Sequence, residues 1–116
     1  MQHAIRPMDI WMVSLTETVG SEQKGQRPAV VIAVQPQTNI STVVPLTSNL
    51  DATRLPFSHK ILRTQNNGLE ADSIALVFQI RSLTMTAGRF LFRMGSVEQE
   101  HFKNIKALIK DYLRIE

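Results

Sequence analysis

The residues best suited to chemistry are one arginine and two hydroxyl residues, each beside an apolar segment. Arg27 ends a polar stretch and is followed by Pro28 and six apolar residues at 29–34. Thr47 and Ser48 end a second apolar segment. A guanidinium is planar, permanently charged and matched to phosphate oxygens, and hydroxyl groups can hydrogen-bond a phosphate. These residue types therefore suit chemistry on a phosphodiester.

One reaction that such groups could assist is cleavage of RNA without a metal. The 2′-hydroxyl attacks the adjacent phosphorus and leaves a 2′,3′-cyclic phosphate and a 5′-hydroxyl end. A protein must align that attack, stabilise the added charge on the phosphoryl oxygens and handle two protons. Arg27 suits the stabilising role, but a guanidinium does not release a proton in proteins, so it is a poor general acid.

Each of these residues also has an ordinary structural interpretation. Arg27 could be a surface salt-bridge partner, and Glu22 could pair with Lys24 or Arg27. Thr47 and Ser48 could end a strand by hydrogen-bonding the local backbone. The residue types alone leave this choice open.

Histidine, cysteine and cofactor chemistry are not indicated. His3, His59 and His101 fall in a tail, a strand and a helix, with no paired spacing. Neither a two-histidine acid–base pair nor a metal-ligand cluster is therefore expected. The chain has no cysteine, which excludes a thiol nucleophile and disulfides. There is no P-loop and no dinucleotide fingerprint, so we expect no metal and no cofactor.

Short strands are predicted to position the candidate residues. Apolar and β-branched segments at 9–15, 28–34, 41–47, 55–62, 73–80 and 90–94 predict six strands of a small barrel or sandwich. Loops are expected at 16–27, 48–54 and 63–72, the last with an Asn67-Gly68 turn signal. The first loop contains two glycines and would place its charged residues, Arg27 included, at the mouth of the second strand.

The C-terminal segment changes to helical spacing. Apolar residues between Val97 and Leu113 recur at helical spacing, which predicts an amphipathic helix on the barrel or on a partner. Ser96 followed by Gln99 predicts a capping box.

Composition indicates one domain, residues 1–116, with a formal net charge of +3. The charges after residue 96 balance, so the excess lies in residues 1–96, which suits a polyanionic partner. Solubility alone would also explain a charge of this size. The N-terminus does not look like a signal peptide, and the apolar runs are too short to span a membrane. The expected location is the cytoplasm.

Four ordered motifs give the chain a family resemblance. They are GSEQKGQRPAVVI at 20–32, DIW at 9–11, VPLTS at 44–48 and QIRSL at 79–83. Over about residues 8–113 the chain resembles the MazF/PemK toxins, which are sequence-specific endoribonucleases of toxin–antitoxin systems.

The resemblance implies a fold, an assembly and a set of site residues. The fold would be mainly β with α: a small SH3-like β-barrel of the MazF/PemK/CcdB type at about 8–95, with a C-terminal amphipathic helix at about 97–114. The chain would form a homodimer. Catalysis would fall to Arg27 and Thr47, with Glu22 assisting. Substrate binding would fall to Gly20, Ser21, Gln23, Lys24, Ser48, Gln79 and Arg81.

The chain departs from the family pattern at two positions. Many relatives have an acidic residue where this chain has Phe78, and in some that acid is assigned a catalytic or substrate-contacting role. Phe78 cannot transfer a proton. We expect it to pack in the core, the alternative being that it stacks on a base. Met8 stands where a glycine is common, which should affect only a turn.

The resulting hypothesis is a metal-independent endoribonuclease toxin that cleaves single-stranded RNA, inhibits translation and growth, and is held by a cognate antitoxin. The alternative is a catalytically weak barrel that binds RNA or antitoxin as a regulator or decoy. A poison of DNA gyrase, known for a related toxin fold, is disfavoured by the nuclease-type loop at 20–28.

Overall fold

The structure, a computed structural model, describes residues 4–15, 20, 22 and 25–115 and is mainly β with one C-terminal helix. In chain order its elements are β1 (Asp9–Leu15), β2 (Gly25–Gln35), β3 (Ile40–Thr47), a 3₁₀ helix (Leu50–Arg54), β4 (Ser58–Ile61), β5 (Ser73–Leu76), a second 3₁₀ helix (Val77–Gln79), β6 (Arg81–Thr84), β7 (Phe90–Ser96) and α1 (Gln99–Leu113). The predicted fold class is confirmed.

The strands form one curled antiparallel sheet. Neighbouring strands follow the order β4, β5, β3, β2, β1, β7, and β6 pairs with β3 outside this path. β3 is therefore the centre of the sheet, since it contacts β2 on one side and both β5 and β6 on the other.

Pro45 divides the sheet on the β5 and β6 side of β3. Residues Leu46 and Thr47 pair with β5, whereas residues 40–43 pair with β6. Proline has no N–H to donate to a ladder, so pairing on this side is interrupted at Pro45. The prediction of a single strand over 73–80 is wrong for this reason: the chain passes the interruption in a 3₁₀ turn, and the separate strand β6 follows.

The two faces of the sheet bury two apolar clusters. Ile10, Val30 and Val44 lie in the cluster beneath α1, with Phe102 and Ile105 of that helix. The alternate residues of the same strands, such as Trp11, Val31 and Val43, lie in the other cluster. This is the two-residue period of a strand. It explains why β2 is apolar on both faces.

The predicted start of β4 and the predicted helix cap are wrong. β4 begins at Ser58 and not at 55, because Phe57 adopts a φ of 58° and the Ser58 hydroxyl donates to the Leu55 carbonyl at 2.6 Å. The capping box does not form, because Ser96 is still paired with Asp9 at the end of β7. The N-cap of the described helix is Glu98, without a side-chain capping bond.

None of the helices among the described residues combines the length and apolarity needed to cross a membrane.

Candidate nucleic-acid site

Arg27 lies in a strand and not in the predicted loop. β2 begins at Gly25, and Arg27 pairs with Val13 of β1. The ladder from β2 to β3 begins only at Ala29, so Pro28 sits where one side of the strand is not paired with β3. Arg27 is half-buried, and its backbone is paired with β1 on one side but not with β3 on the other.

A cleft of about 180 Å³ opens at this point. We call it the arginine cleft. Its walls come from β1, β2, β3, the loop before β5, and β7, and its lining residues are Met12, Gln26, Arg27, Pro28, Leu46, Ser48, Leu69, Glu70, Ala71, Ser73 and Met94. Arg27 and Ser48 thus both line this cleft, and Ser48 is exposed there.

Thr47 lines a second, larger cleft of about 380 Å³, the threonine cleft, formed with Asn49, Asp51, Ala52, Arg54, Leu55, Leu76, Phe78 and Gln79. Side chains alternate along a strand, so Leu46 and Ser48 line one cleft and Thr47 lines the other. Segment 46–48 therefore separates the two clefts. The Thr47 Oγ1 accepts the Asn49 N–H at 3.2 Å, so Thr47 does make the local backbone hydrogen bond of the structural alternative.

The residues predicted in the glycine loop are only partly described. Gly20 and Glu22 are exposed, and Gly20 has a φ of 64°, a conformation that suits glycine. Ser21, Gln23 and Lys24 lie outside the described residues. The role of this loop stays a prediction.

The structure separates the two predicted residues of the QIR motif. Gln79 ends the second 3₁₀ helix and lines the threonine cleft with Thr47. Arg81 begins β6 opposite Val43, and among the described residues it lines neither cleft.

The expectation that Phe78 packs in the core is wrong. Phe78 is half-buried, belongs to neither buried cluster of the described residues, and lines the threonine cleft beside Thr47 and Gln79. It lies in a 3₁₀ turn and not in the continuous strand predicted over 73–80.

Glu70 is a cleft residue that sequence reasoning missed. It is exposed, and it lines the arginine cleft together with Arg27. The signal that could have found it is its position between the buried Leu69, just after the Asn67-Gly68 turn, and β5.

Two histidines also come together, contrary to the expectation from their spacing. His59 Nε2 of β4 lies 2.8 Å from His101 Nδ1 of α1. Burial, and then the nearby His101, lower the pKa of His59. Within the described part of the chain neither ring lines the two clefts, so the pair is not placed for acid–base work there.

Residues 4–15, 20, 22 and 25–115 contain no group of three or more His, Asp or Glu side chains placed to hold a metal ion.

Known proteins similar to this chain all point to one family. The family described as PemK-like, MazF-like toxin of type II toxin–antitoxin systems matches residues 6–113. Endoribonuclease MazF9 of Mycobacterium tuberculosis is 34% identical over 117 residues, covering 94% of this chain and 96% of the relative. Endoribonuclease toxin MazF of Escherichia coli is 34% identical over 104 residues, covering 87% and 86%.

Solved structures show the same fold. MazF from Deinococcus radiodurans superposes with a TM-score of 0.82 at 20% identity, covering 98% of this chain and all of that one. A mycobacterial endoribonuclease in complex with its cognate antitoxin gives a TM-score of 0.72 at 13% identity, covering 97% and 98%. The chain therefore belongs to the PemK-like, MazF-like toxin family of type II toxin–antitoxin systems, whose members named above are endoribonucleases.

Proposed function

We propose that this chain is a sequence-specific, metal-independent endoribonuclease toxin that cleaves single-stranded messenger RNA in the cytoplasm. Cleavage would inhibit translation and growth. We take residues 1–116 as one toxin domain. The proposal rests on the arginine cleft, which both Arg27 and Ser48 line. It also rests on the match of residues 6–113 to this toxin family.

The proposed reaction is attack of the 2′-hydroxyl on the adjacent phosphorus. The phosphorus–oxygen bond to the 5′ leaving group breaks, which gives a 2′,3′-cyclic phosphate and a 5′-hydroxyl. Arg27 stabilises the charge that grows on the phosphoryl oxygens, because its fork matches their geometry. Thr47 Oγ1 accepts the Asn49 N–H, and in the proposed reaction its hydroxyl donates to a phosphate oxygen. Glu22 assists from the glycine loop.

The RNA would lie across segment 46–48, which separates the two clefts. Ser48 contacts it on the arginine side and Gln79 on the threonine side. Gly20, Ser21, Gln23, Lys24 and Arg81 are the remaining proposed substrate-binding residues. A formal net charge of +3 supports association with a polyanion.

We propose two protein partners, a cognate antitoxin and a second copy of the chain. The antitoxin is supported by the similarity to MazF solved together with MazE and to an endoribonuclease solved in complex with its cognate antitoxin. Self-association is supported by exposed apolar side chains at the end of α1, where Leu113 and Ile115 are 51% and 56% exposed. Sedimentation equilibrium should give about twice the 13.1 kDa chain mass.

The alternative is the same barrel as a catalytically weak RNA- or antitoxin-binding protein. It is favoured by one observation: Phe78, which replaces the family acid, lines the cleft of Thr47.

Mapping of cleaved transcripts separates the two proposals. Purified chain should cut a long RNA at a recurring short sequence and leave cyclic phosphate ends. Binding without any cleavage, at enzyme excess, would favour the alternative.

A further inference from the structure

We propose that Glu70 selects the RNA base that enters the arginine cleft, favouring a base with an exocyclic amino group over uracil. This inference rests on the proposed function and names a specificity-determining residue for it. It starts from the finding that Glu70, an exposed carboxylate, lines the same cleft as Arg27.

The loop that carries Glu70 is held by a buried asparagine. Asn67 is fully buried. Its Oδ1 accepts the backbone N–H groups of Thr64 and Leu69 at 3.0 and 3.1 Å. Its Nδ2 donates to the Leu62 carbonyl at 3.0 Å and to Glu98 Oε1 at 3.2 Å. One side chain therefore ties the loop to itself and to the start of α1.

The residues that flank Glu70 are fixed as well. Gly68 has a φ of 68° and packs so closely on β7 that an added Cβ would clash with the Met94 carbonyl oxygen. Leu69 is only 2% exposed and lies in the cluster beneath α1. Asp72 Oδ1 accepts the Arg63 N–H at 2.8 Å on the other side. Glu70 thus projects from a preorganised backbone, which is what selective recognition requires.

A carboxylate in this cleft suits a base and not a phosphate. Two negative groups repel, so the RNA backbone should follow Arg27 and leave Glu70 to contact a base. A carboxylate only accepts hydrogen bonds. The bases of single-stranded RNA are read on their exposed edges. The amino groups of cytosine, adenine and guanine can donate to Glu70, whereas uracil offers one imino N–H between two carbonyl oxygens that the carboxylate repels.

The test compares the base preference of Glu70 variants and not their rates alone. RNA randomised around a mapped cleavage site is cut by the wild type, Glu70→Gln, Glu70→Ala and the control Glu100→Gln, and the product ends are sequenced. Glu100 is an exposed carboxylate on α1 that lines neither cleft among the described residues. Four substrates that differ only at the affected position are then measured in single turnover.

At one position, the wild type should cut the substrate with uracil about tenfold or more slowly than the substrates with the preferred bases, as for one good base contact. Glu70→Gln and Glu70→Ala should reduce that ratio, chiefly because uracil is cut faster, while Glu100→Gln keeps it. A residue that only supports the loop would lower all four rates together. If the relative rates for the four bases are unchanged in both Glu70 variants, the inference is overturned and the proposed nuclease function still stands. Failure of the wild type to cut any RNA overturns the nuclease proposal and, with it, this inference.

Discussion

Arg27 and Thr47 occupy equivalent positions on adjacent strands. The last register partners of β2 and β3 at this end are Ala29 and Pro45, and Arg27 and Thr47 lie two residues beyond them on their respective strands. Side chains at equivalent positions of neighbouring antiparallel strands lie on the same face, about 5 Å apart, so the guanidinium and the hydroxyl can act on one phosphate.

This arrangement suits a reaction in which the substrate supplies its own nucleophile. The protein then needs rigid donors for the phosphoryl oxygens, and both residues are carried by paired strands.

The first prediction concerns metal and the sugar. Cleavage should continue in excess EDTA, and the products should carry 2′,3′-cyclic phosphate and 5′-hydroxyl ends. An RNA with one deoxyribose on the 5′ side of the scissile phosphate should bind without being cut, because the nucleophile is missing. Loss of activity in EDTA together with 5′-phosphate ends would rule out the proposed chemistry, as would cutting of the deoxy substrate.

The second prediction concerns Phe78. Aromatic stacking contributes about 1–3 kcal/mol per base, so Phe78→Ala should weaken binding of the uncleavable deoxy substrate by roughly fivefold or more. The matched control is Phe92→Ala, since Phe92 is 53% exposed on β7 and lines neither cleft among the described residues. Phe78→Asp restores the acid of many relatives and should alter the rate or the sequence preference.

Fluorescence anisotropy measures this binding, and thermal unfolding checks the fold. Equal affinities for the two alanine variants would remove Phe78 from the site. A large loss of stability in Phe78→Ala would instead mean that the Phe78 side chain contributes to core packing.

The third prediction concerns the loop before β5. Asn67→Ala leaves several buried polar groups without partners and should lower the free energy of unfolding by about 2 kcal/mol or more. Asn104→Ala, on the exposed face of α1, should change it by less than about 0.5 kcal/mol. Urea unfolding provides both values. Equal stability of the two variants would mean that Asn67 does not hold the loop.

The fourth prediction concerns pH and the pair His59–His101. The pKa of His59 is lowered in the folded state by burial and by His101. The unfolded chain therefore binds more protons between the ordinary value of 6.5 and that lowered value. Stability should be complete above pH 6.5 and should fall as the pH drops through this window.

Glu98 acts in a separate, more acidic window. Burial alone would raise its pKa, but hydrogen bonds from Thr64, its own backbone, Asn67 and Asn66 lower it overall from 4.5. Its contribution should be lost only below pH 4.5. His59→Gln should flatten the stability profile in the histidine window and leave the Glu98 window unchanged. A wild-type profile that is already flat in the histidine window would contradict the assignment.

The sequence predicted those elements whose pattern is local. β1 has the predicted bounds, because it is paired with β2 on one side and with β7 on the other. The strand at 73–80 could not be resolved in the same way. Its residues are nearly all apolar, and the break depends on Pro45 in a different strand.

Of the site residues, only those that lie within the four sequence motifs could be predicted. Arg27, Thr47 and Ser48 stand in motif segments, so the resemblance indicated them. Glu70 is brought to Arg27 by a loop whose position depends on Asn67, and the 42-residue separation of His59 and His101 is bridged only by packing of α1 on β4. Such tertiary pairings leave no periodic signal in the chain.

The most direct test of the account is single-turnover cleavage by Arg27 variants. Arg27→Ala and Arg27→Lys should each lose about 100-fold or more in rate, as for removal of one preorganised donor, because lysine keeps the charge but not the bidentate fork. Thr47→Ala should show a smaller loss of the same kind. Binding of the deoxy substrate should fall much less, and Arg63→Ala, an exposed arginine that lines neither cleft among the described residues, should cleave normally. Cleavage by Arg27→Ala at the wild-type rate would contradict the account.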